Sequence, residues 1–328
     1  MSLQNVFEKS EVVGDHGPRQ ATVTGMSERL TAICTTVARP RCAETFLRSL
    51  RASMPQVPVV LGEQAETPVL GDLCAELHAG HLHLPFDCGV SRARNALVGA
   101  ISTDYFLLAE EDFRFEAAPD VGYCMRFLDA NPQFLGVTGA LQDLRAKPTT
   151  GRVAHNFAFD TAGCGLIVLS IDIVRTRGTE FEGSTVRHCH MGPNWGVFRR
   201  SMFAELGLHW DEDFKIGGEH IDFYLRLARR FPDILLGFSE RLVCQHVDDD
   251  DPGYENLRNR GDWLEMFRAK WPFRYRYDLG GVLRMFETYD KPEPVPNPSA
   301  DRWRNLYREQ RDEAARLARK LAAAARET

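Results

Sequence analysis

The sequence has no apolar stretch long enough to cross a membrane. A spanning helix needs about 18 consecutive apolar residues, whereas the longest candidate, residues 165–171, is followed at once by Asp172. Residues 1–28 are polar and lack the apolar region of a secretory signal. We therefore expect a soluble protein with no transmembrane segment, and we predict that it is cytoplasmic.

An excess of positive charge is also absent. Lys and Arg number 40 while Asp and Glu number 46, which leaves a net charge of −6. Because a protein that binds nucleic acid through its phosphates needs the opposite sign, we expect no nucleic-acid partner. Cysteine is sparse, with 8 residues and no C-x-x-C pair. This pattern favours buried free thiols over a disulfide framework.

The sequence does contain alternating strand and helix patterns over residues 29–140. Continuous apolar runs predict strands that are covered on both faces, and apolar stripes predict helices between them. We predict a helix that ends near Pro55 and a second helix that runs from an N-cap at Ser91 to about residue 100. The strands are predicted at residues 30–37, 57–61, 81–85 and 105–109. This order is typical of a parallel α/β sheet.

The pattern changes in the second half of the chain. Residues 153–173 predict a hairpin, and residues 219–230 predict a helix with one buried face. The Pro-rich residues 291–298 predict a stiff linker. Residues 301–326 predict a charged helix that is solvated or packed on the domain, with self-association into a homo-oligomer as the lesser alternative. We divide the chain into a tail (1–28), two halves of one domain (29–140 and 141–290) and a C-terminal helical extension (291–328).

Three carboxylates, Glu110, Glu111 and Asp112, come directly after the fourth predicted strand. Ligands gather at the carboxyl ends of parallel strands, so these side chains lie at a functional edge. Oxygen ligands of this kind suit Mg²⁺ or Mn²⁺, which share substrate phosphates with one or two protein carboxylates. The alternative is a solvated acidic loop.

The helix that precedes this strand opens with a candidate anion site. Arg92 and Asn95 share one face of the helix at a spacing of three. A helix N-terminus beside guanidinium groups can bind a diphosphate. Surface charge combined with helix capping is the alternative.

A second group of polar residues begins at Gly217-Gly218. Glu219 and Asp222 lie one helical turn apart, and a carboxylate placed there can take a proton from a hydroxyl group. The alternative is structural, because acids in a first turn stabilise the helix dipole and Asp222 can pair with Arg226. His246, just past a short strand, is either a metal ligand or a structural histidine.

In their order along the chain, these segments resemble the GT-A glycosyltransferases. The resemblance is to the family-2-like enzymes and, within them, to the β-1,4-N-acetylgalactosaminyltransferase (GM2 synthase-like) type, and it covers about residues 30–250. It rests on residues 85–95, on residues 105–113 with the acidic triplet, on residues 191–200, on His220-Ile-Asp-Phe-Tyr-Leu and on Gln245-His246.

The resemblance implies a GT-A, Rossmann-like sheet flanked by helices and an enzyme that transfers a sugar from a UDP-sugar to an acceptor hydroxyl. The implied sugar is a hexose or an N-acetylhexosamine, and the transfer is metal-dependent and inverting. The implied acceptor is a glycan, a lipid, a peptide or a small metabolite. The implied contacts to the donor, including uracil at Glu63, are Thr35, Thr36, Arg39, Glu63, Arg92, Asn95, Glu110 and Glu111.

The same resemblance implies a metal site and a base. Asp112, with Glu110 and His246, would hold Mn²⁺ or Mg²⁺, and Asp112 is the expected direct ligand. The catalytic candidates are Asp222, Glu219 and His220, with Asp222 slightly ahead of Glu219 as the base and His220 orienting or coordinating.

The sequence departs from the family in two places, and these departures leave alternatives open. Its acidic triplet is Glu-Glu-Asp where the family has aspartates, and Glu219 is followed by His220 where many relatives have an aspartate. A degenerate protein that binds a sugar nucleotide without turnover is the first alternative. A sugar nucleotidyltransferase is less favoured, because residues 35–40 lack the glycine-rich loop of that class.

Overall fold

A computed structural model describes the chain in nine ranges: residues 26–143, 150–151, 154–159, 165–171, 176–247, 252–258, 261–273, 275–279 and 282–285. Its helices are α1 (Met26–Arg29), α2 (Pro40–Ser53), α3 (Gly71–Glu76), α4 (Val90–Ala100), α5 (Val121–Ala130), α6 (Arg200–Glu205), α7 (Glu219–Arg230), α8 (Pro252–Arg258) and α9 (Asp262–Lys270).

The strands occur at intervals along the described residues, from Leu30 to Met285. They are β1 (Leu30–Val37), β2 (Val59–Gln64), β3 (Gly80–Leu84), β4 (Tyr105–Glu110), β5 (Phe113–Arg114), β6 (Phe134–Asp143), β7 (Thr150–Gly151), β8 (His155–Phe159), β9 (Gly165–Ser170), β10 (Gly178–Phe181), β11 (Ser184–Cys189), β12 (Gly196–Arg199), β13 (Leu235–His246), β14 (Tyr275–Leu279) and β15 (Val282–Met285).

The main sheet has the order β10-β11-β13-β6-β12-β4-β1-β2-β3. Strands β4, β1, β2 and β3 are parallel to one another, which confirms the parallel α/β sheet predicted for the first half. Strand β12 is antiparallel to both β4 and β6, and it joins the two halves of the sheet. Since parallel strands end at the same edge, β1, β2 and β4 deliver their last residues to one place.

A smaller sheet has the order β15-β14-β9-β8. Strands β8 and β9 are antiparallel, as predicted for a hairpin, although residues 160–164 between them lie outside the described residues. The predicted tail up to residue 25, the linker at 291–298 and the helix at 301–326 also lie outside them.

Hydrophobic cores cover both faces of the main sheet. On β1, Ala32 and Cys34 belong to the core under α2, while Ile33 belongs to the core on the opposite face. This alternation follows from the two-residue period of a strand. In α2, Phe46 and Leu50 lie on one stripe and are fully buried. The parallel sheet is therefore covered on both sides, as its continuous apolar runs predicted.

The start of α4 differs from the prediction. Ser91 was predicted as the N-cap, but the cap is Gly89 and Ser91 is a fully buried residue inside the helix. Gly89 has a φ of +94°, and a Cβ at this position would lie 2.7 Å from the Cα of Lys215. Only glycine combines this backbone conformation with so close an approach, and the sequence near Ser91 does not reveal the approaching chain.

Two further expectations can be compared with the described residues. None of the helices in the described ranges is long and apolar enough to cross a membrane. The seven cysteines that the structure describes are buried free thiols, as the sequence predicted.

Candidate active site

Two adjoining cavities lie at the edge of the main sheet where β1, β2 and β4 end. The smaller one has a volume of about 360 Å³ and extends past the end of β2. The larger one has a volume of about 530 Å³ and extends past the end of β4 to the start of α7. Thr36 and Gln64 line both cavities, so together they form one elongated cleft.

The smaller cavity has an apolar mouth. Val69 and Phe86 line it, with exposed fractions of 66% and 45%, and they are the large apolar side chains that the described part of the chain leaves exposed. Exposed apolar groups around a cavity are typical of a ligand site.

Glu63 lies in the wall of the smaller cavity and is only 4% exposed. Its carboxylate accepts hydrogen bonds from the backbone N–H of Val69 at 2.8 Å and of Leu70 at 3.2 Å. The Nε2 of His81 is 2.7 Å from the same carboxylate. Glu63 therefore holds residues 65–70 in place, and both of its oxygens already accept from protein donors.

Gln64 connects the end of β1 to the start of α4. Its Nε2 donates to the Oγ1 of Thr35 at 3.0 Å, and its Oε1 accepts from the backbone N–H of Gly89 at 3.0 Å. Thr35 and Thr36, predicted as donor contacts, both line the larger cavity.

The acidic triplet lies in the larger cavity beside Arg39. The Nη1 of Arg39 is 3.5 Å from Glu111 and 3.4 Å from Asp112, and its guanidinium lies over the ring of Tyr254 at 4.3 Å. Burial and the charge of Asp112 raise the pKa of Glu111 to about 8, against the opposing charge of Arg39. Burial alone would raise the pKa of Asp112, but His246 and Arg39 hold it below its ordinary value.

Strand pairing brings Asp112 and His246 together. Residue Phe113 of β5 pairs with His246 of β13, and the Nε2 of His246 lies 3.5 Å from the Oδ2 of Asp112. The other carboxylate oxygen, Oδ1, is buried and has no hydrogen-bond partner. A carboxylate oxygen and an imidazole nitrogen fit a divalent cation such as Mn²⁺.

Glu110, the third predicted metal ligand, is directed elsewhere. Its Oε1 accepts from Arg94 at 2.8 Å and from Asn194 at 2.9 Å. Burial raises the pKa of Glu110 to about 7, although the charge of Arg94 opposes this. Across the described ranges, no three His, Cys, Asp or Glu side chains form a group that could hold a metal ion. Of the three predicted metal ligands, the structure brings Asp112 and His246 together.

Arg94 is a site residue that the sequence reasoning missed. It is 1% exposed and lies between Glu110, at 2.8 Å, and Glu219, at 4.0 Å. Arg94 comes three residues before the buried Leu97, and this helical spacing places it on the inner face of α4. The same spacing could have identified Arg94 from the sequence.

The two neighbours of Arg94 that were predicted to contact the donor line neither cavity. Arg92 is exposed and lies 4.0 Å from Glu212. The side chain of Asn95 bonds to the backbone of Trp210 and to Glu212. Asn95 therefore holds the segment before α7 against α4.

The two candidate carboxylates in the first turn of α7 have different surroundings. Glu219 lines the larger cavity, is 8% exposed, and has a buried Oε2 without a hydrogen-bond partner. Asp222 is fully buried and lines neither cavity; it accepts from Arg226 at 2.8 Å, Lys270 at 2.8 Å and the indole N–H of Trp271 at 2.9 Å. Of the two carboxylates, the structure places only Glu219 in the cleft.

His220, the third catalytic candidate, is bound to Asn194. Its Nδ1 forms a hydrogen bond with the Oδ1 of Asn194, and its ring packs edge-on against Tyr224. Asn194 itself lines the larger cavity.

Helices α8 and α9 form the remaining wall of the larger cavity through Tyr254, Leu257 and Trp263. The indole of Trp263 lies against Gly217 and Gly218, where added Cβ atoms would meet it at 2.7 and 2.9 Å. Both glycines have positive φ angles, +80° and +76°. The turn that presents Glu219 therefore requires these glycines.

No protein-family model matches the sequence. Two curated proteins are similar to part of it: β-1,4 N-acetylgalactosaminyltransferase 1 of Mus musculus, 27% identical over 133 residues (40% of this chain), and that of Rattus norvegicus, 27% identical over 139 residues (41%). The matched region spans about a quarter of the length of these relatives, 24% and 25%.

Two solved structures have a similar fold. S. aureus TarS 1-349 in complex with UDP-GlcNAc has a TM-score of 0.52 and 10% identity, covering 74% of this chain and 65% of that one. GalNAc-T7 with UDP, GalNAc and Mn²⁺ has a TM-score of 0.55 and 11% identity, covering 87% of this chain and 54% of that one. The chain has the GT-A glycosyltransferase fold, as the sequence resemblance implied.

Proposed function

We propose that this chain is a metal-dependent glycosyltransferase that uses a UDP-sugar. One observation carries the proposal: the Asp112 carboxylate lies beside His246 and has a buried oxygen, Oδ1, without a hydrogen-bond partner. Both residues line a cavity that continues into the smaller cavity with the apolar mouth. The smaller cavity suits a nucleobase, and the larger one suits a diphosphate and its sugar. The names of the similar proteins, and the UDP compounds in the two similar structures, support this reading.

The charge of the cleft supports the metal. Its larger cavity is lined by five carboxylates: Asp87, Glu110, Glu111, Asp112 and Glu219. Three permanent cations contact this set: Lys215, Arg39 and Arg94. The raised pKa values of Glu110 and Glu111 leave these two groups partly protonated near neutral pH, so the carboxylates and the cations of the cavity nearly balance. A bound diphosphate would add uncompensated negative charge beside Asp112, and a divalent cation held by Asp112 and His246 would offset the charge of this leaving group.

Glu219 is the proposed base, because it is the α7 carboxylate that lines the cavity. It would take the proton from the acceptor hydroxyl while the oxygen of that hydroxyl bonds to the anomeric carbon. The bond from this carbon to the diphosphate oxygen breaks at the same time, and UDP leaves with the electron pair. Attack opposite the leaving group inverts the anomeric carbon, so the proposal includes inversion.

Calorimetry of UDP binding tests the donor and metal parts of the proposal. We expect wild-type protein to bind UDP in the presence of Mn²⁺, and Asp112→Asn to lose at least about tenfold in affinity, a loss of about 1.4 kcal/mol. Glu116→Gln is the matched control, because Glu116 is an exposed carboxylate close in sequence that lines neither cavity.

Each contrary result of this experiment has a separate meaning. Unchanged affinity in Asp112→Asn would overturn the metal assignment, and absence of UDP binding to the wild type would overturn the proposed function. Mass-spectrometric detection of UDP released from UDP-sugars then separates an enzyme from a protein that binds without turnover.

A further inference from the structure

A series of polar contacts connects Glu219 with the next residue in the sequence, His220. Glu219 lies 4.0 Å from the Nη1 of Arg94, and the Nη2 of Arg94 donates to the Oε1 of Glu110 at 2.8 Å. The same Oε1 accepts from the Nδ2 of Asn194 at 2.9 Å, and the Oδ1 of Asn194 meets the Nδ1 of His220. The series joins the acidic end of β4 to the first turn of α7.

The orientation of the Asn194 amide follows from this series of contacts. The Oε1 of Glu110 accepts from the guanidinium of Arg94, which can only donate. When Glu110 is ionised, or carries its proton on Oε2, the group of Asn194 that faces this oxygen is its NH₂, and the carbonyl oxygen of the amide faces His220. Asn194 comes just before β12 in the middle of the main sheet, and its side chain is half-buried, so its position is set by the sheet.

The amide orientation in turn sets the state of the imidazole. The Oδ1 of Asn194 has no proton to give, so the Nδ1 of His220 must carry the hydrogen in their bond. In a neutral ring the Nε2 then has the lone pair and is the nitrogen that accepts a hydrogen bond or a proton.

We propose that Asn194 is a positioning residue that holds His220 in its Nδ1–H tautomer. The Nε2 of His220 is thereby kept as an acceptor nitrogen in the first turn of α7, one residue from Glu219, although His220 itself lines neither cavity. Its part in sugar transfer rests on the proposed function, whereas the tautomer itself does not.

Long-range ¹H–¹⁵N NMR of full-length, ¹⁵N-histidine-labelled protein tests the tautomer directly. The chain has 10 histidines, and His220→Gln assigns the resonance of interest. We expect the neutral ring of His220 to be the Nδ1–H form in the wild type and to shift toward the Nε2–H form in Asn194→Ala. Asn194→Asp should keep the Nδ1–H form, because a carboxylate still accepts from Nδ1. Asn131→Ala, whose amide bonds to Phe127 instead, should leave it unchanged.

A wild-type Nε2–H ring would overturn the proposal even if no Asn194 variant folds. For turnover, we expect Asn194→Ala to lower kcat for UDP release by about tenfold or more, since His220 would then present an N–H group where the proposal needs an acceptor nitrogen next to the base Glu219. A tautomer change with an unchanged kcat would overturn the positioning role. If the wild type releases no UDP from any UDP-sugar, the proposed function fails, while the NMR result still decides the tautomer.

Discussion

The two carboxylates of α7 should respond in opposite ways to conversion into amides. The carboxylate of Asp222 is fully buried and receives Arg226, Lys270 and Trp271 as donors. In Asp222→Asn one carboxylate oxygen becomes an NH₂ group. This group cannot accept a hydrogen bond from the cation that it faces, Arg226 or Lys270. We therefore expect Asp222→Asn to lose stability.

The size of this loss can be worked from the contacts. Breaking a buried ion pair by removing one partner costs about 3–5 kcal/mol. The lower end applies, because Arg226 also donates to the backbone oxygen of His209 at 2.7 Å and Lys270 also pairs with Asp211. A loss of about 3 kcal/mol in a chain of this size lowers Tm by about 4 °C.

Glu219→Gln should instead lose turnover. Its Oε2 has no hydrogen-bond partner, and its Arg94 contact is long, at 4.0 Å. The stability change should therefore stay within the helix-dipole contribution of about 0.3–1 kcal/mol, while removal of a base lowers turnover by about 10²–10⁴.

Circular-dichroism melting and mass-spectrometric detection of UDP release measure the two effects on the same samples. If Asp222→Asn kept its Tm and lost turnover while Glu219→Gln stayed active, the assignment of Glu219 as the base would be refuted. His220 would become the candidate if both amide variants kept their turnover.

Two further predictions follow from the walls of the cleft. Glu63→Gln should weaken UDP and CDP binding equally by calorimetry, because Glu63 bonds to residues that shape the cavity; a loss confined to UDP would indicate a direct uracil contact. Gly217→Ala should destabilise the protein by about 1–3 kcal/mol in chemical denaturation, because it combines a φ of +80° with a 2.7 Å approach to Trp263. Gly99→Ala, in an open helical position, is the control and should stabilise slightly.

The sequence by itself determined several elements of the fold, although strands such as β6 and β10 and helices such as α5 were not predicted. Apolar runs predicted β1 and β4 nearly residue for residue, and amphipathic spacing placed α7 at Glu219–Arg230, as observed. These signals are local, since the period of buried positions along a strand or helix follows from backbone geometry. The order of strand and helix then implied a parallel sheet whose carboxyl edge carries Glu110, Glu111 and Asp112.

Tertiary structure alone decided which polar side chain enters the cleft. On α4 the sequence favoured Arg92, yet Arg94 is the buried arginine because Glu110 and Glu219 lie across from it. On α7, the sequence favoured Asp222 and Glu219 almost equally as the base. Asp222 lies in the core because it bonds to Lys270 and Trp271, some 50 residues later in the chain. A helical pattern shows which residues share a face, but the partner of a charge is set by chain segments distant in sequence, which no local pattern records.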